Sequence, residues 1–317
     1  ETLRDRGFEA FFAGGVVRDL LLGRPVRDVD IVTSARPEQI ETLFPRTVAV
    51  GKAFGVIRVL HGNGEFEVAT FRSDLGYEDG RRPTGIRFVD AREDALRRDF
   101  TVNAFFLDPF ADRVIDYMEG RKDLEARLLR AVGDPEVRFR EDKLRMLRAV
   151  RFAVELDFRI EELTAAALRR QSGDILRVSW ERIRDELLKI FASPDPRRGL
   201  DLLDEFGLLE KILPEVSAMK GVEQPPEFHP EGDVYTHTRL MLELSGGKMA
   251  PVLAMGILLH DVGKPPVFRV RERIRFDGHA EVGAAMAEKI CERLRISTHD
   301  ARRDRKSTRL NSSHVSQ

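Results

Sequence analysis

A single cysteine, Cys291, stands in the 317 residues, so the chain builds no intramolecular disulfide framework and suits a reducing compartment. Long apolar runs are also missing. No stretch approaches the ~20 residues that a membrane-spanning helix needs, and no signal-peptide pattern opens the chain. No membrane partner is expected, and a cytoplasmic location is. Net charge is nearly absent as well, at −1, so the overall sum announces no polyanionic partner. Locally the balance shifts, because between Arg121 and Arg151 ten Lys or Arg stand against six Asp or Glu. An initiating methionine is lacking, and Glu1 to Gly7 reads as the end of a helix whose beginning is missing. At the other end, residues 304–317 turn abruptly polar, Ser-rich and aperiodic. They resemble translated sequencing-adapter read-through and are expected to be a non-native tail.

The length accommodates two or three domains. Phe8 to Ala13, Asp28 to Thr33, Val56 to Leu60, Glu65 to Phe71 and Val102 to Leu107 are rich in Val, Ile and Phe and are expected as strands, with Gly62-Asn63-Gly64 as a hairpin turn. Pro37 to Phe44 is expected as a helix entered at Ser34. Beyond Asp116 helical periodicity takes over, with helices expected over Glu141 to Leu156, Ile160 to Arg170, Ser179 to Phe191 and Pro196 to Leu209. The loop from Gly221 to Gly232, with Pro225, Pro226 and Pro230, marks a boundary before a second helical unit. The fold class is therefore α+β: a mixed β-sheet head with helices over 1–116, an all-α unit over 117–220, and a further all-α unit over 221–303.

The most informative segment runs from Gly14 to Thr33. Gly14 and Gly15 let backbone N–H groups approach a phosphate where a short helix begins, with Arg18 one turn in. After Leu22-Gly23 comes Asp28-Val29-Asp30. Alternate strand residues share a face, so Asp28 and Asp30 project together and can hold a divalent metal between them. This is the outline of a nucleotidyltransferase site, in which a hydroxyl attacks an α-phosphate while pyrophosphate leaves. A third carboxylate from a neighbouring strand is expected to be Glu67, although Glu65 has the same facing. Asp79-Gly80-Arg81-Arg82-Pro83 reads as a mobile basic loop or an ordinary solvated turn. In Leu96-Arg97-Arg98-Asp99-Phe100, Arg98 is suited to triphosphate and Asp99 to a ribose hydroxyl; an ion-paired strand entry would look similar.

Within the expected helix from Glu141, Asp142 and Arg145 are i and i+3 and would share a face. An acceptor beside a forked donor suits the edge of cytosine or adenine and rejects guanine and uracil; a plain surface ion pair has the same spacing. Arg148 lies one turn on. Arg151 is rotated nearly half way round from Asp142 at about 100° per residue, and is expected to serve phosphate or structure.

Taken together these segments resemble the class II tRNA nucleotidyltransferase and bacterial poly(A) polymerase family. The resemblance covers about two thirds of the chain, Phe11 to Val216, on Gly14 to Thr33, Arg97 to Ala104, Gly120-Arg121-Lys122-Asp123-Leu124, Val132-Gly133-Asp134-Pro135 and Arg138 to Phe152. It implies a head, neck, body and tail arrangement that adds CMP and AMP from CTP and ATP to the 3′ end of tRNA with Mg2+ and no nucleic-acid template. Gly15, Arg18, Arg98, Asp99, Asp142, Arg145, Arg148 and Arg151 are then the nucleotide-binding set, and Asp142 with Arg145 becomes the template for the incoming base. An A-adding specialist or a poly(A) polymerase shares most of these motifs.

Past the proline loop, His237 in Val234-Tyr235-Thr236-His237-Thr238 and His260-Asp261 in Leu258-Leu259-His260-Asp261-Val262-Gly263-Lys264-Pro265 resemble an HD-type phosphohydrolase domain. The resemblance implies His237, His260 and Asp261 as ligands of a second divalent transition metal. The aspartate that usually completes such a site has no candidate before the tail except Asp300. His279 is a further candidate ligand or acid and His229 a weaker one. A metal-dependent HD phosphohydrolase with an RNA-binding head is the competing reading, and an HD fold kept for dimerisation or tRNA contact without catalysis is the other.

Overall fold

The computed structural model describes residues 1–26, 29–62, 64–77, 83–247 and 249–296. Asp28, most of the basic loop 79–83, Asp300 and the tail 304–317 lie outside the described residues. Two compact units divide the chain. One comprises 1–142 with 159–164, and the other comprises 143–158 with the residues from 165 on.

The first unit is built on a seven-stranded mixed sheet. Strand β1 (Ala10–Ala13) leads through helix α1 (Gly15–Leu21) to an antiparallel β2 (Asp30–Thr33). Helix α2 (Pro37–Leu43) then precedes β3 (Thr47–Gly51), which pairs antiparallel with β4 (Val56–His61). The expected hairpin joins β4 to β5 (Gly64–Thr70), and β5 also pairs with β2, in parallel. A separate hairpin of β6 (Arg72–Tyr77) and β7 (Pro83–Phe88) and a helix α3 (Ala91–Leu96) follow. Beside β1 lies β8 (Phe106–Asp108), with β9 (Arg113–Ile115) at the edge, giving the order β3-β4-β5-β2-β1-β8-β9.

Alternation along the strands gives the sheet two apolar faces. Ile57, Val59 and Val68 are buried with Ile40 of α2 on one side. On the other, Phe11, Val32, Phe71 and Phe106 are buried with Ala91 and Ala95 of α3. Phe11, Phe71 and Phe106 form a ring cluster with centroids 6.0 to 6.3 Å apart, each pair adding roughly 0.5–1.5 kcal/mol beyond area burial.

Two details depart from the sequence expectation. Ser34 does not start α2: its Oγ accepts the Glu9 N–H, and Arg36 holds the capping position. The stretch expected as a strand from Val102 is a single 3-10 turn, Thr101–Asn103, and only Phe106–Asp108 is extended. Its polar side chains explain the turn, because Thr101 donates to Asp123 at 2.7 Å and the Asn103 amide is engaged from two sides. Helix α4 (Gly120–Glu125), strand β10 (Leu128–Leu129) and helix α5 (Pro135–Glu141) complete the unit, with β11 (Arg159–Ile160) returning parallel to β10.

The second unit is helical. It contains α6 (Arg145–Leu156), most of α7 (Glu162–Gln171), α8 (Trp180–Phe191), α9 (Pro196–Glu205), α10 (Leu208–Ile212) and α11 (Pro214–Ser217). After the proline loop come α12 (Val234–Leu244), α13 (Pro251–Leu259), α14 (Lys264–Val267), a small hairpin of β12 (Arg269–Val270) and β13 (Ile274–Arg275), and α15 (His279–Arg293). Gly207, at φ +73°, splits the expected 196–209 helix into α9 and α10, a backbone conformation that suits glycine.

The helix expected from Glu141 to Leu156 begins four residues later than expected, Glu141 being the last residue of α5. Asp142 is extended (φ −136°, ψ 105°), and α6 begins only at Arg145. Asp142 and Arg145 are therefore not one turn apart on a single helical face. The break buries Lys143 and Leu144, which a continuous solvent-facing turn would not.

Candidate active site

The first carboxylate pair is set by strand register. Asp30 of β2 stands directly opposite Glu67 of β5 in a parallel pairing, so the two side chains leave the sheet on the same face. That is the face of Val32 and Ala69, two residues further along each strand, which pack with the phenylalanine cluster. The register selects Glu67 rather than Glu65 as the partner of Asp30. Both carboxylates are exposed, and Glu67 also meets Arg58 of β4 at 3.4 Å. Two hard oxygen donors side by side fit Mg2+, which takes few protein carboxylates and keeps several waters.

Arginines crowd the same face from α1 and from the end of α3. Gly14 precedes α1 at φ +74°, ψ −128°, a region essentially closed to other residues, and a Cβ there would lie 3.0 Å from Nη1 of Arg98. The missing side chain thus lets Arg98 lie against the start of α1. Arg98 donates to the Asn103 carbonyl at 3.3 Å and stacks over Phe106 at 5.0 Å. Its charge is held by Asp94, a fully buried residue of α3 that the sequence reading passed over. Asp94 accepts from Arg98 Nη2 at 3.1 Å, from Arg97 Nη2 at 2.7 Å and from the Arg72 N–H at 3.2 Å. Burial works against its charge, but the flanking Arg97 and Arg98 prevail and hold its carboxyl below the usual range.

Arg18 and Asp99 belong to a second, inner network. Arg18 is buried, donating to Asn103 Oδ1 at 2.6 Å and to Asp19 at 2.9 Å. Asn103 in turn donates to Asp99 Oδ1 at 3.1 Å, which also accepts the Phe100 N–H. The amide of Asn103 therefore locks α1 to the turn after α3. Asp94 carries no motif-level signal beyond preceding Arg97-Arg98-Asp99, and Asn103 lies within the Arg97 to Ala104 motif but had no role assigned to it there.

In the helical unit, Arg148 stacks over Phe152 at 5.2 Å. Arg151 is buried, bonded to Glu186 of α8 at 2.6 Å and to Glu155 at 2.9 Å. Of the two roles expected for Arg151, this geometry supplies the structural one, a tie between α6 and α8.

A second cluster gathers around His237 of α12, His260 at the end of α13 and Asp261. Their ligand atoms lie within 4.8 Å of one another. His260 Nε2 is 3.1 Å from Asp261, and Lys264 Nζ is 2.7 Å from the same carboxylate. Burial opposes the Asp261 charge, yet His260 and Lys264 hold the carboxyl far below its usual range, while burial lowers the His237 imidazole. Glu231 bridges His229 and His237, 3.0 and 2.5 Å from their Nδ1 atoms. Burial opposes its charge too, but its own backbone N–H and the two imidazoles bring it down to about 2. Two imidazoles and a carboxylate fit a divalent transition metal. His279 joins neither metal-fitting group among the described residues; its ring bonds the Phe276 carbonyl at 2.8 Å.

Three family models match this chain in succession: the poly A polymerase head domain over 10–130, a probable RNA- and SrmB-binding site of polymerase A over 157–220, and an HD domain over 234–309. A CCA-adding enzyme of Lactococcus lactis subsp. cremoris is 50% identical over 237 residues, 72% of this chain and 58% of that one. The crystal structure of the Bacillus stearothermophilus CCA-adding enzyme with CTP is 31% identical, with a TM-score of 0.67 over 97% of this chain and 75% of that one. The chain belongs to the poly(A) polymerase and CCA-adding enzyme family.

A tRNA nucleotidyltransferase with a primer tRNA and an incoming ATP analogue, 26% identical, matches with a TM-score of 0.57 over 81% of this chain and 73% of that one. The chain spans a little over half the length of the curated CCA-adding relatives it matches. Within the family frame, the head model covers the Asp30 and Glu67 pair and the Arg98 cluster, and the HD model covers His237, His260 and Asp261. No helix among the described residues is long and apolar enough to cross a membrane.

Proposed function

We propose that this chain is the catalytic portion of a CCA-adding tRNA nucleotidyltransferase, acting in the cytoplasm on the 3′ end of tRNA with CTP and ATP. The observation that carries the reading is the parallel register that sets Asp30 beside Glu67 on the face where Arg98 is anchored. The CTP bound in the Bacillus stearothermophilus relative, and the primer tRNA and ATP analogue in the other solved neighbour, support the substrates. The three-part order of the division into 1–116, 117–220 and 221–303 is supported by three successive family models, although the first runs to residue 130, past 116, and the last to 309, past 303.

In the reaction, the terminal 3′ hydroxyl of tRNA forms a bond to the α-phosphorus of CTP or ATP. The bond from that phosphorus to pyrophosphate breaks, and the hydroxyl proton leaves to solvent. Asp28, Asp30 and Glu67 would hold Mg2+, which supplies charge stabilisation for the attacking and departing oxygens. Arg98, kept cationic by Asp94, attracts the triphosphate. The bare backbone at Gly14 and Gly15 lets the Arg98 and Arg18 guanidinium groups lie against the start of α1, where a phosphate would bind, and Arg18, Asn103 and Asp99 hold that segment still, Asp99 being suited to a ribose hydroxyl. Asp142 and Arg145 supply an acceptor and a forked donor for the base edge. Arg148 adds charge, and Arg151 braces α6.

The cluster of His237, His260 and Asp261 supports a second, coexisting reading, a metal-dependent phosphohydrolase. The two are separated by replacing Asp30 with Ala. Incorporation of CMP into tRNA lacking its terminal nucleotides is expected to fall by at least about 10³-fold, with the protein still folded. Normal incorporation by that variant would overturn the assignment.

A further inference from the structure

The hairpin of β12 and β13 is charged in a way that its own fold does not use. Residues 269–275 read Arg-Val-Arg-Glu-Arg-Ile-Arg, four arginines against one glutamate. Arg269 and Arg275 are directly opposite across the two strands, and Val270 pairs with Ile274 on the other face. Like charges opposed in a strand pair destabilise it. All four arginines are exposed, and none has an ion-pair partner among the described residues.

Beneath these charges the hairpin is anchored. Phe268 and Phe276 close its base with ring centroids 5.9 Å apart, and Lys264 lies 5.4 Å from the Phe276 ring. Buried Lys264 also donates to Gln224 at 2.7 Å and pairs with Asp261 at 2.7 Å. The guanidinium groups therefore project from a base fixed to the His260 and Asp261 cluster. A surface of this kind meets a repeating anion: guanidinium forks match phosphate oxygens, and two of them on one face span neighbouring phosphates of a strand. A bilayer is a poorer fit, because the turn between the strands is Arg271-Glu272-Arg273 and its one strongly exposed apolar side chain is Val270.

We propose that the 269–275 hairpin is a phosphate-backbone contact for RNA, sequence-independent and separate from the nucleotidyl-transfer site. This rests on the reading of the chain as an enzyme of tRNA. It assigns to the HD-type unit an RNA-holding role of its own.

The test is binding of a labelled tRNA transcript by fluorescence anisotropy at several salt concentrations between about 50 and 200 mM. The quadruple variant R269Q/R271Q/R273Q/R275Q is compared with the parent and with the charge-preserving R269K/R271K/R273K/R275K. Neutralisation is expected to weaken binding at least about tenfold at ~100 mM salt and to make the slope of log affinity against log salt shallower by about two to three. The lysine variant should keep the parent's slope. Equal affinity and slope in the glutamine variant would overturn the proposal while leaving CMP incorporation, and hence the enzyme reading, intact. Equal loss in both variants would point to folding rather than charge and would overturn it as well. A parent chain that neither binds RNA nor incorporates CMP would remove the enzyme reading and the hairpin assignment together. Unchanged RNA binding with lost binding to polyglutamate or to phosphatidylglycerol vesicles would assign the surface to a different partner.

Discussion

Asp94 is where single-residue chemistry matters most to the head. One fully buried carboxylate holds two arginines and a backbone N–H, and removing one partner of a buried pair leaves uncompensated charge. Asp94→Asn is expected to lower stability by about 3–5 kcal/mol at neutral pH. Its folded-state carboxyl lies below the usual value. The stabilisation is therefore complete above the unfolded carboxylate value of about 3.9 and is lost as pH falls through the lower folded value. Urea unfolding of parent and variant at pH 7 and in acid should show the gap closing in acid; a constant gap would remove the charge argument. Gly14→Ala tests the other half of the Arg98 setting. With φ at +74° and a Cβ 3.0 Å from Arg98, it should lose about 1–3 kcal/mol and raise the KM for nucleotide. An unchanged KM would detach Arg98 from the triphosphate. Gly14 was legible as punctuation in a motif. Asp94 was not, because a charged residue in Ala91-Arg92-Glu93-Asp94 looks solvent-facing until α3 is laid on the sheet.

Elements were legible where one physical rule dominated. Enrichment in Val, Ile and Phe identified β2 and β5, although their parallel pairing, which chooses Glu67 over Glu65, depends on how the sheet is assembled. Helical periodicity identified α6 and α8 but started α6 at Glu141, four residues early, and left α5 unseen, because Asp142 takes the backbone out of the helix where the charged sequence shows no breaker. The strand expected over Val102 to Leu107 failed for a related reason: its apolar residues are buried, but Thr101 and Asn103 take the backbone into a turn. The junction between α5 and α6 carries its own test. Asp142→Ala should reduce the preference for CTP and ATP over GTP and UTP by about 1–3 kcal/mol of transition-state discrimination. Arg151→Ala, which releases Glu186 of α8, should lower the melting temperature while leaving that preference alone. Comparison of kcat/KM for the four nucleotides separates the two, and loss of preference with Arg151→Ala would place it on the nucleotide after all.

At the scale of the whole molecule, two metal-fitting groups of different chemistry share one chain. The head pairs two carboxylates, Asp30 and Glu67, across neighbouring strands, and the C-terminal cluster sets imidazoles beside Asp261; hard oxygen donors suit a cation such as Mg2+ and imidazoles a softer divalent one. Glu231 orients His237 through Nδ1, so Glu231→Gln should weaken transition-metal affinity, measured by calorimetry, about 10–100-fold. CMP incorporation with Mg2+ should be unaffected. The HD-type cluster was legible from His260-Asp261, but Glu231 was not, because its role depends on the turn before α12 bringing its carboxylate onto His237 in the helix's first turn. Above these local roles stands the proposed template-independent completion of the tRNA 3′ end. It is tested most directly by incubating the chain with Mg2+ and labelled CTP and ATP, separately and together. The acceptors are transcripts lacking all three terminal nucleotides, lacking only the last, and complete. Two C and one A on the first, one A on the second and nothing on the third is the expected result; long A tracts, A addition alone or no incorporation on any transcript would contradict it.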